Sequence, residues 1–365
     1  MLARLTSFGP MIAPPLALVV LALTWGRDLS GVVVALVGLV LAGAVLAAVH
    51  HAEVVAHRVG EPFGSLVLAV AVTVIEVALI VTLMISGGDE STTLARDTVF
   101  AAAMITMNGI VGISLLVGAV KRDITLFNAE GTGAALATVT TLATLCLVLP
   151  RFTTSEPGPE FTDSQLGFAA VASLALYLMF VSTQTRRHRD FFLPVEDGPG
   201  FQDEDGDSHA DPPSARTAWI SLGMLCVALV GVVGLAKIES PAIKEGVAAL
   251  GLPPSVVGVI IALLVLLPET IAAARAAARE RVQVSLNLAY GSAMASIGLT
   301  IPTIAIAGIW LEGPLHLGLD DLHIVLLVVS VIVSVLTVMP GRATRLQGGV
   351  HLVLLAAYLF MSAQP

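Results

Sequence analysis

Two glutamates stand inside long apolar stretches of this 365-residue chain. Glu76 is the only charged residue between Glu61 and Asp89, and Glu269 ends another aliphatic run. A carboxylate at membrane depth is costly unless it is paired, protonated or hydrated, so such residues commonly mark ion pathways. The alternative is a structural role, in which a protonated glutamate forms a hydrogen bond to a neighbouring helix.

Pro268 predicts a bend or an interruption in the helix that carries Glu269. A proline cannot donate a hydrogen bond to the carbonyl four residues earlier, here that of Leu264. Freed carbonyls beside a carboxylate can form an oxygen-rich cation site, as in the broken helices of transporters. Alternatively, Pro268 and Glu269 only begin the cytoplasmic end of the span, because Arg275 follows about 9 Å further along a helix.

Two carboxylates from opposing helices would suit a hard metal cation such as Ca2+, which prefers about six to eight oxygen ligands. Removal from water disfavours the charged form of a carboxyl group. Each glutamate could therefore exchange a cation for a proton. An oxygen-only site argues against copper and zinc, which prefer sulfur or imidazole. The further ligands that we predict are Thr73, Asn108, Ser292, Ser296 and backbone carbonyl groups.

His50, Glu53 and His57 form a second group of chemically active side chains. Their spacings of three and four residues place them on one helix face, where they could bind a transition metal. The commoner explanation is the polar inner end of a membrane helix, although Glu53 would then lie near the cytoplasmic mouth of the glutamate site. A metal-dependent hydrolase would need a His-Glu-x-x-His motif, which the chain lacks.

The elements that must position these residues are membrane-spanning helices. The chain is 56% hydrophobic and 12% charged, with a mean hydropathy of +0.92, whereas soluble domains carry about 25% charged residues. Apolar runs of about 20 residues can each cross the bilayer as a helix. We therefore predict an all-α polytopic membrane protein with eleven spans, at 11–25, 31–51, 64–86, 98–120, 132–150, 165–184, 217–238, 254–276, 284–309, 321–340 and 346–363.

The basic residues predict the orientation of these spans. With a cytoplasmic N-terminus, the inner side receives 13 of the 18 basic residues and the outer side receives 5. This distribution agrees with the tendency of cytoplasmic loops to be basic. We therefore expect a multi-pass membrane protein with the C-terminus on the outer side.

An acidic linker divides the chain into two similar blocks. Residues 186–216 are rich in acidic residues, glycine and proline, which predicts a solvated cytoplasmic segment, either inert or regulatory. Residues 1–30 form a leading helix, and 31–185 and 217–365 each contain five spans. Because five is odd, the second block must run antiparallel to the first. Inverted repeats of this kind place the binding site of a transporter near the midplane.

Several stretches around these acidic residues resemble those of the ChaA-type bacterial calcium/proton (sodium/proton) antiporters, in the calcium/cation exchanger superfamily. The similar stretches are Gly-Glu-Pro-Phe-Gly-Ser-Leu-Val-Leu (60–68), Ile-Glu-Val (75–77), Leu-Leu-Pro-Glu (266–269) and the polar-dotted segment 285–302. The resemblance implies eleven helices in a five-plus-five inverted repeat. It also implies exchange of cytoplasmic Ca2+, and in this subtype Na+ or K+, for external protons.

The resemblance assigns the central glutamate pair to Glu76 and Glu269, and polar positions on the following helices to Asn108 and Ser292. The chain also departs from the wider pattern. Vacuolar-type members carry Gly-Asn shortly before each glutamate, where this chain has Val72-Thr73 and Val265-Leu266. Loss of those amide oxygens makes a monovalent cation more plausible.

The expected function is secondary cation/proton antiport by alternating access, with Ca2+ as the leading substrate and Na+ or K+ as further ones. The alternatives are the metal-dependent hydrolase described above and a cation channel, although channels are usually symmetric oligomers around a filter. No ATP-binding loop motif is present, and no basic patch indicates nucleic acid. No cofactor is expected, and the lipid bilayer is the main surrounding partner. The sequence does not determine the proton stoichiometry or the oligomeric state.

Overall fold

A computed structural model describes residues 2–27, 29–59, 63–87, 92–194, 213–310 and 314–364. These residues form eleven long helices, in agreement with the eleven predicted spans. The helices are α1 Leu2–Thr24, α2 Gly31–Val59, α3 Phe63–Gly87, α4 Leu94–Met104 continuing through Ile105–Ile110 and Val111–Arg122, α5 Ala129–Arg151, α6 Asp163–Arg187, α7 Ala215–Ala249, α8 Ser255–Ala278, α9 Val282–Ala307, α10 Asp321–Val338 and α11 Arg345–Ala363.

The length and composition of these helices confirm a polytopic membrane protein. Among the described residues, nine helices are long and apolar enough to cross a bilayer. The other two, α1 and α3, contain the shorter apolar stretches Gly9–Thr24 and Val70–Ile85. Since lipid offers no hydrogen bonds to the backbone, each apolar run satisfies its amide groups internally as a helix.

Proline does not end the helix at Pro268 or at Pro241. Of the predicted bend or interruption at Pro268, the interruption is wrong, because α8 continues through it from Ser255 to Ala278. The seventh span, expected to end at 238, continues through Pro241 to Ala249. One proline removes only one backbone hydrogen bond. Packing against neighbouring helices maintains the rest of the turn.

The helices pack in pairs that agree with the predicted inverted repeat, which would relate α2–α6 to α7–α11 in order. Helix α2 packs against its counterpart α7, and α4 packs against its counterpart α9. Since α3 corresponds to α8 and α4 to α9, the contact of α3 with α9 should recur as a contact of α8 with α4, which is present. Since α6 corresponds to α11, the contact of α6 with α9 likewise recurs as that of α11 with α4. Helix α1 has no counterpart in the predicted repeat, and it packs against α2 and α7.

Small residues allow α4 and α9 to lie at the centre of the molecule. A Cβ atom at Gly258 of α8 would lie 2.8 Å from the backbone nitrogen of Thr98 in α4. A Cβ atom at Gly298 of α9 would lie 2.9 Å from Cβ of Tyr177 in α6. Glycine at such contacts lets membrane helices approach closely. The resulting core surrounds the two helices that carry most of the predicted polar ligands.

Two short strands join loops on one side of the molecule. Strand β1, Ile124–Leu126, pairs antiparallel with β2, Arg342–Thr344. The first strand follows α4 and the second follows α10, so six helices separate them. An even number of crossings returns the chain to the same side of the membrane. The pairing therefore agrees with the alternating arrangement of the spans.

Two of the predicted features lie mainly outside the described residues. Most of the acidic run in the predicted linker 186–216 falls within residues 195–212, which are not described. The same holds for Gly60-Glu61-Pro62, the beginning of the motif that precedes Glu76. The described parts of the linker are residues 186–194, which include the short 3-10 helix Arg189–Phe192, and residues 213–216. The Ser214 hydroxyl accepts a hydrogen bond from the Thr217 amide at the start of α7.

Candidate functional site

Glu76 and Glu269 are both buried on helices that contact each other. Glu76 of α3 is 3% exposed and Glu269 of α8 is 5% exposed. The hydroxyl group of Ser296, on α9, donates a 2.6 Å hydrogen bond to Oε1 of Glu76. Three helices from the two predicted repeats therefore meet around the glutamates. Ser296, one of the predicted ligands, thus bonds directly to a carboxyl group.

Glu269 lacks a partner for one of its oxygens. Its Oε2 atom is buried and accepts no hydrogen bond from the described residues. Glu53 and Glu76 both lie close enough to interact electrostatically with it, and both interactions are repulsive when the carboxyl groups are ionised. Buried polar groups are normally hydrogen-bonded. A bound proton or cation would satisfy this oxygen and relieve the repulsion.

An open cleft leads towards Glu269 between α2 and α8. Its volume is about 170 Å3, and Glu53 and Pro268, the two residues predicted to lie near an access route, both line it. Glu53 is half-buried there. The other lining residues are Leu46, Val49, His50, Ile271, Ala272 and Arg275. The cleft thus joins the carboxyl group of Glu53 to the helix turn that follows Glu269.

The two other predicted hydroxyl ligands lie one helix turn from a site residue. Thr73, which is 5% exposed, precedes Glu76 by three residues on α3. Ser292 is half-buried and precedes Ser296 by four residues on α9. Residues three and four apart share a helix face. The backbone therefore places Thr73 and Ser292 on the same faces as the residues that form the Glu76 contact.

Asn108 takes part in a different buried cluster. Its Nδ2 atom donates a 2.9 Å hydrogen bond to Oγ of Ser330 on α10, and its Oδ1 atom lies 3.2 Å from Nδ1 of His351 on α11. The other ring nitrogen of His351 lies 3.2 Å from Oγ1 of Thr337. The Asn108 side chain is directed at α10 and α11 instead of the glutamates. Sequence analysis did not identify His351, although a histidine inside an apolar run was a usable signal.

The predicted alternative metal site on α2 is not supported. His50 and His57 are exposed, and their side chains interact with Glu53 only through charge. In the part of the chain that the structure describes, no group of three or more histidine, cysteine, aspartate or glutamate side chains could hold a metal. The three residues lie on one face of α2, which is helical to Val59.

Sequence analysis missed two further buried carboxyl groups, those of Glu239 and Asp97, of which Asp97 is paired with Arg96. Glu239 lies on α7. It is 5% exposed, and its Oε1 atom accepts no hydrogen bond from any described residue. The predicted seventh span ended one residue before Glu239, so the glutamate was assigned to a loop. The apolar residues Ile243 and Val247, four apart after Pro241, were a signal that the helix could continue.

Comparisons with known proteins agree with this architecture. The sequence profile of the sodium/calcium exchanger protein family matches residues 29–186 and 220–364, which correspond to the two five-helix blocks. The ionic transporter y4hA of Sinorhizobium fredii is 44% identical over 89% of this chain and 87% of its own length. The sodium-potassium/proton antiporter ChaA of Escherichia coli is 34% identical over 96% of this chain and 94% of its own.

A solved structure has a similar fold. The crystal structure of the Ca2+/H+ antiporter protein YfkE matches with a TM-score of 0.69 and 16% sequence identity. The match covers 98% of this chain and 99% of the other. At this identity the likeness concerns the fold alone.

Proposed function

This chain belongs to the sodium/calcium exchanger protein family, and we propose that it exchanges cytoplasmic cations for external protons through Glu76 and Glu269. Membership of the family makes it a secondary transporter and not an enzyme. The observation that carries the proposal is the pair of buried carboxyl groups on contacting helices. One is hydrogen-bonded by Ser296 and the other has an unpartnered oxygen. Such groups bind either protons or a cation at membrane depth.

The proposed chemistry is competition between protons and a cation for the same oxygens. When both glutamates are ionised, their charges repel, and a bound cation neutralises them. When the cation leaves, protons take its place, so that the site is never left doubly charged in an apolar surrounding. The Ser296 hydroxyl stabilises the ionised form of Glu76 by donating to it. Two protons per Ca2+ would make the exchange electroneutral, and three would make it electrogenic.

Alternating access would expose this site first to one side and then to the other. We assign the cleft beside Glu53 to the cytoplasmic route, because it reaches the Glu269 turn and is lined by Arg275 near the end of α8. Basic residues favour the cytoplasmic side. The inverted repeat supplies the motion, in which one five-helix block rocks against the other around the glutamates. This assignment places the N-terminus in the cytoplasm and the C-terminus outside, in a bacterial inner membrane.

The proposed cations are Ca2+, Na+ and K+, all of which bind to oxygen ligands. The fold relative YfkE is named as a Ca2+/H+ antiporter, whereas the more similar sequence relative ChaA is named as a sodium-potassium/proton antiporter. The contacts of Asn108 favour the monovalent ions as a second candidate. Its oxygen is engaged with His351, which leaves one ligand fewer for Ca2+, an ion that prefers about six to eight.

The proposal is tested by cation-driven proton movement in everted membrane vesicles that hold an imposed pH gradient. Ca2+, Na+ and K+ are added separately to the wild type, to Glu76→Gln and to Glu269→Gln. Glu245→Gln is the matched control, because it removes the same charge from an exposed position on α7. We expect at least one cation to collapse the gradient in the wild type and the control, and in neither site variant.

Two results would contradict the proposal. Normal exchange in both site variants would show that the glutamates are not the binding site. Failure of all three cations to move protons in the wild type, at normal protein levels in the membrane, would refute antiport itself. The relative responses to the three cations identify the substrate.

A further inference from the structure

Glu239 lies at the opposite end of the α2–α7 contact from the cleft. The carboxyl group of Glu239 approaches Gly38, where an added Cβ atom would lie 3.6 Å from Oε2. Glu53, at the cleft, lies 15 residues further along α2 than Gly38. At about 1.5 Å per residue, this spacing separates the two acidic positions by about 22 Å along the helix. Glu239 is therefore remote from the proposed cytoplasmic access route.

The described residues of the helices packed against α7 offer Glu239 no charged neighbour. Helix α7 packs against α1, α2, α3 and α8. The parts of those helices at this end of the molecule contain no acidic, basic, histidine, tyrosine or cysteine residue; they are residues 9–24, 31–49, 77–87 and 255–268. Among the described residues, the charged ones on α7 itself and just after α1 are Lys237, Lys244, Glu245 and Arg27. The Arg96–Asp97 ion pair of α4 lies beside Gly258 on α8.

Lys237 does not neutralise the Glu239 carboxyl group. Its Nζ atom lies 5.2 Å from the centre of the exposed Trp25 ring, in a cation–π contact at the end of α1. Tryptophan and lysine commonly mark the headgroup level of a membrane helix. Glu239 follows only two residues later, yet it points into the protein and is 5% exposed. It thus combines a position near the membrane surface with a buried carboxyl group.

The surroundings of Glu239 suit a proton better than a metal ion. Oε1 has no hydrogen-bond partner among the described residues, so an ionised carboxylate is poorly stabilised there. The adjacent Ser240 is buried at 1% exposure and supplies one further hydroxyl oxygen. A Ca2+ ion would need about six to eight oxygens. A single bound proton removes the charge without any further ligand.

We propose that Glu239 is a proton-accepting site on the outer side, through which external protons reach the glutamate pair. An ionised Glu239 takes a proton from outer water, which forms an O–H bond on the carboxyl group. That bond breaks when the proton passes inward to a carboxylate left by the departing cation, and Glu239 returns to its ionised form. This inference rests on the proposed antiport and adds a residue outside the central pair.

The predicted repeat supports this assignment, because Glu239 has a counterpart in the first block. Helices α2 and α7 are counterparts in the predicted repeat and contact each other. Glu53 lies 22 residues after the first residue of α2, and Glu239 lies 24 residues after the first residue of α7. In an inverted repeat, equivalent residues lie on opposite sides of the membrane. An acid at the inner mouth is thereby matched by an acid at the outer mouth.

The experiment measures cation efflux from right-side-out vesicles as a function of outer pH. The vesicles are loaded with the cation that drives proton movement in the wild type. Everted vesicles of the same variants report the cytoplasmic side. Glu239→Gln removes the titrating group and keeps its shape, Glu239→Asp keeps a carboxyl group one methylene shorter, and Glu245→Gln is the exposed control on the same helix. Gel filtration in detergent checks that each variant is folded.

We expect efflux in Glu239→Gln to fall by at least about tenfold and to lose its dependence on outer pH, since a positioned acid–base group typically contributes more than that. Glu239→Asp should keep the dependence with a shifted midpoint, and Glu245→Gln should match the wild type. The cation concentration for half-maximal response in everted vesicles should not change.

If a folded Glu239→Gln variant keeps the wild-type dependence of efflux on outer pH, the inference about Glu239 is overturned. The proposed role of Glu76 and Glu269 is not affected by that result. If Glu239→Gln does not fold, a folded Glu239→Asp variant with the wild-type midpoint overturns it equally. Absence of proton exchange in the wild type would instead refute the antiport on which the inference rests.

Discussion

Replacing Ser296 by alanine tests how the structure stabilises the ionised form of Glu76. The hydroxyl of Ser296 donates to Oε1 of Glu76 over 2.6 Å, and both side chains are buried. Alanine removes this donor and little else, because only one oxygen atom is lost. In the proposed mechanism the carboxylate form of Glu76 binds the cation, so loss of its hydrogen-bond donor should weaken cation binding.

The size of the effect follows from the charge on the acceptor. A hydrogen bond to a charged group contributes about 1.5–3 kcal/mol, and about 1.4 kcal/mol corresponds to a factor of ten. Water can enter the site through an access route and replace part of the lost bond. We therefore use the lower limit, and expect Ser296→Ala to raise the half-maximal cation concentration about tenfold.

The assay is the same proton movement in everted vesicles, with the cation concentration varied. Ser221→Ala is a matched control, since Ser221 is a buried serine on α7 for which no described hydrogen bond to either glutamate exists. A double-mutant cycle with Glu76→Asp isolates the contact, because the effects of two bonded residues should not be additive. Asp shortens the side chain and keeps the charge, so exchange remains measurable.

The reasoning is refuted if folded Ser296→Ala protein keeps a half-maximal concentration within about twofold of the wild type. It is also refuted if the effects of Ser296→Ala and Glu76→Asp add without any coupling. Either result would mean that the Ser296 hydroxyl does not act on the charge of Glu76 during binding.

Three further predictions concern stability, measured by thermal unfolding in detergent. Gly258→Ala should destabilise the α4–α8 contact by about 1–3 kcal/mol, because the added Cβ would lie 2.8 Å from a backbone atom of α4. Gly291→Ala is the control: its added Cβ would have no atom within 4 Å, so the change should be neutral or slightly stabilising. Asn108→Ala should cost about 1–3 kcal/mol by removing the donor to Oγ of Ser330 and the partner of Nδ1 of His351, with cation affinity within about twofold of wild type. Burial alone would raise the pKa of Asp320, at the start of α10, but hydrogen bonds and charge from His323, and the charge of Arg96, lower it overall. The stability that the Asp320 carboxylate contributes to the fold is therefore present at neutral pH and is lost as the pH falls through that lowered pKa. Asp320→Ala should lower the free energy of unfolding by about 1 kcal/mol at neutral pH and by less in acid.

Sequence analysis predicted most of the architecture because membrane-spanning helices can be located from the apolar runs along the chain. An apolar run of sufficient length in lipid has to form a helix, so eleven runs predicted the eleven helices that the structure contains. The same argument identified Glu76 and Glu269, since an acid inside such a run is conspicuous without any knowledge of its neighbours. The structure then added that both are buried on contacting helices.

The partners of each side chain depend on helix rotation and packing, which one-dimensional patterns do not contain. Asn108 and Ser296 were equivalent candidates in the sequence, but α9 turns Ser296 towards Glu76 while α4 turns Asn108 towards His351. Glu239 looked like a loop residue after an apolar run. Only the continuation of α7 through Pro241, which packing against neighbouring helices maintains, buries its carboxyl group. The sequence alone thus determined which segments cross the membrane and which acidic residues lie within them. The tertiary structure decided which polar side chains form hydrogen bonds with one another.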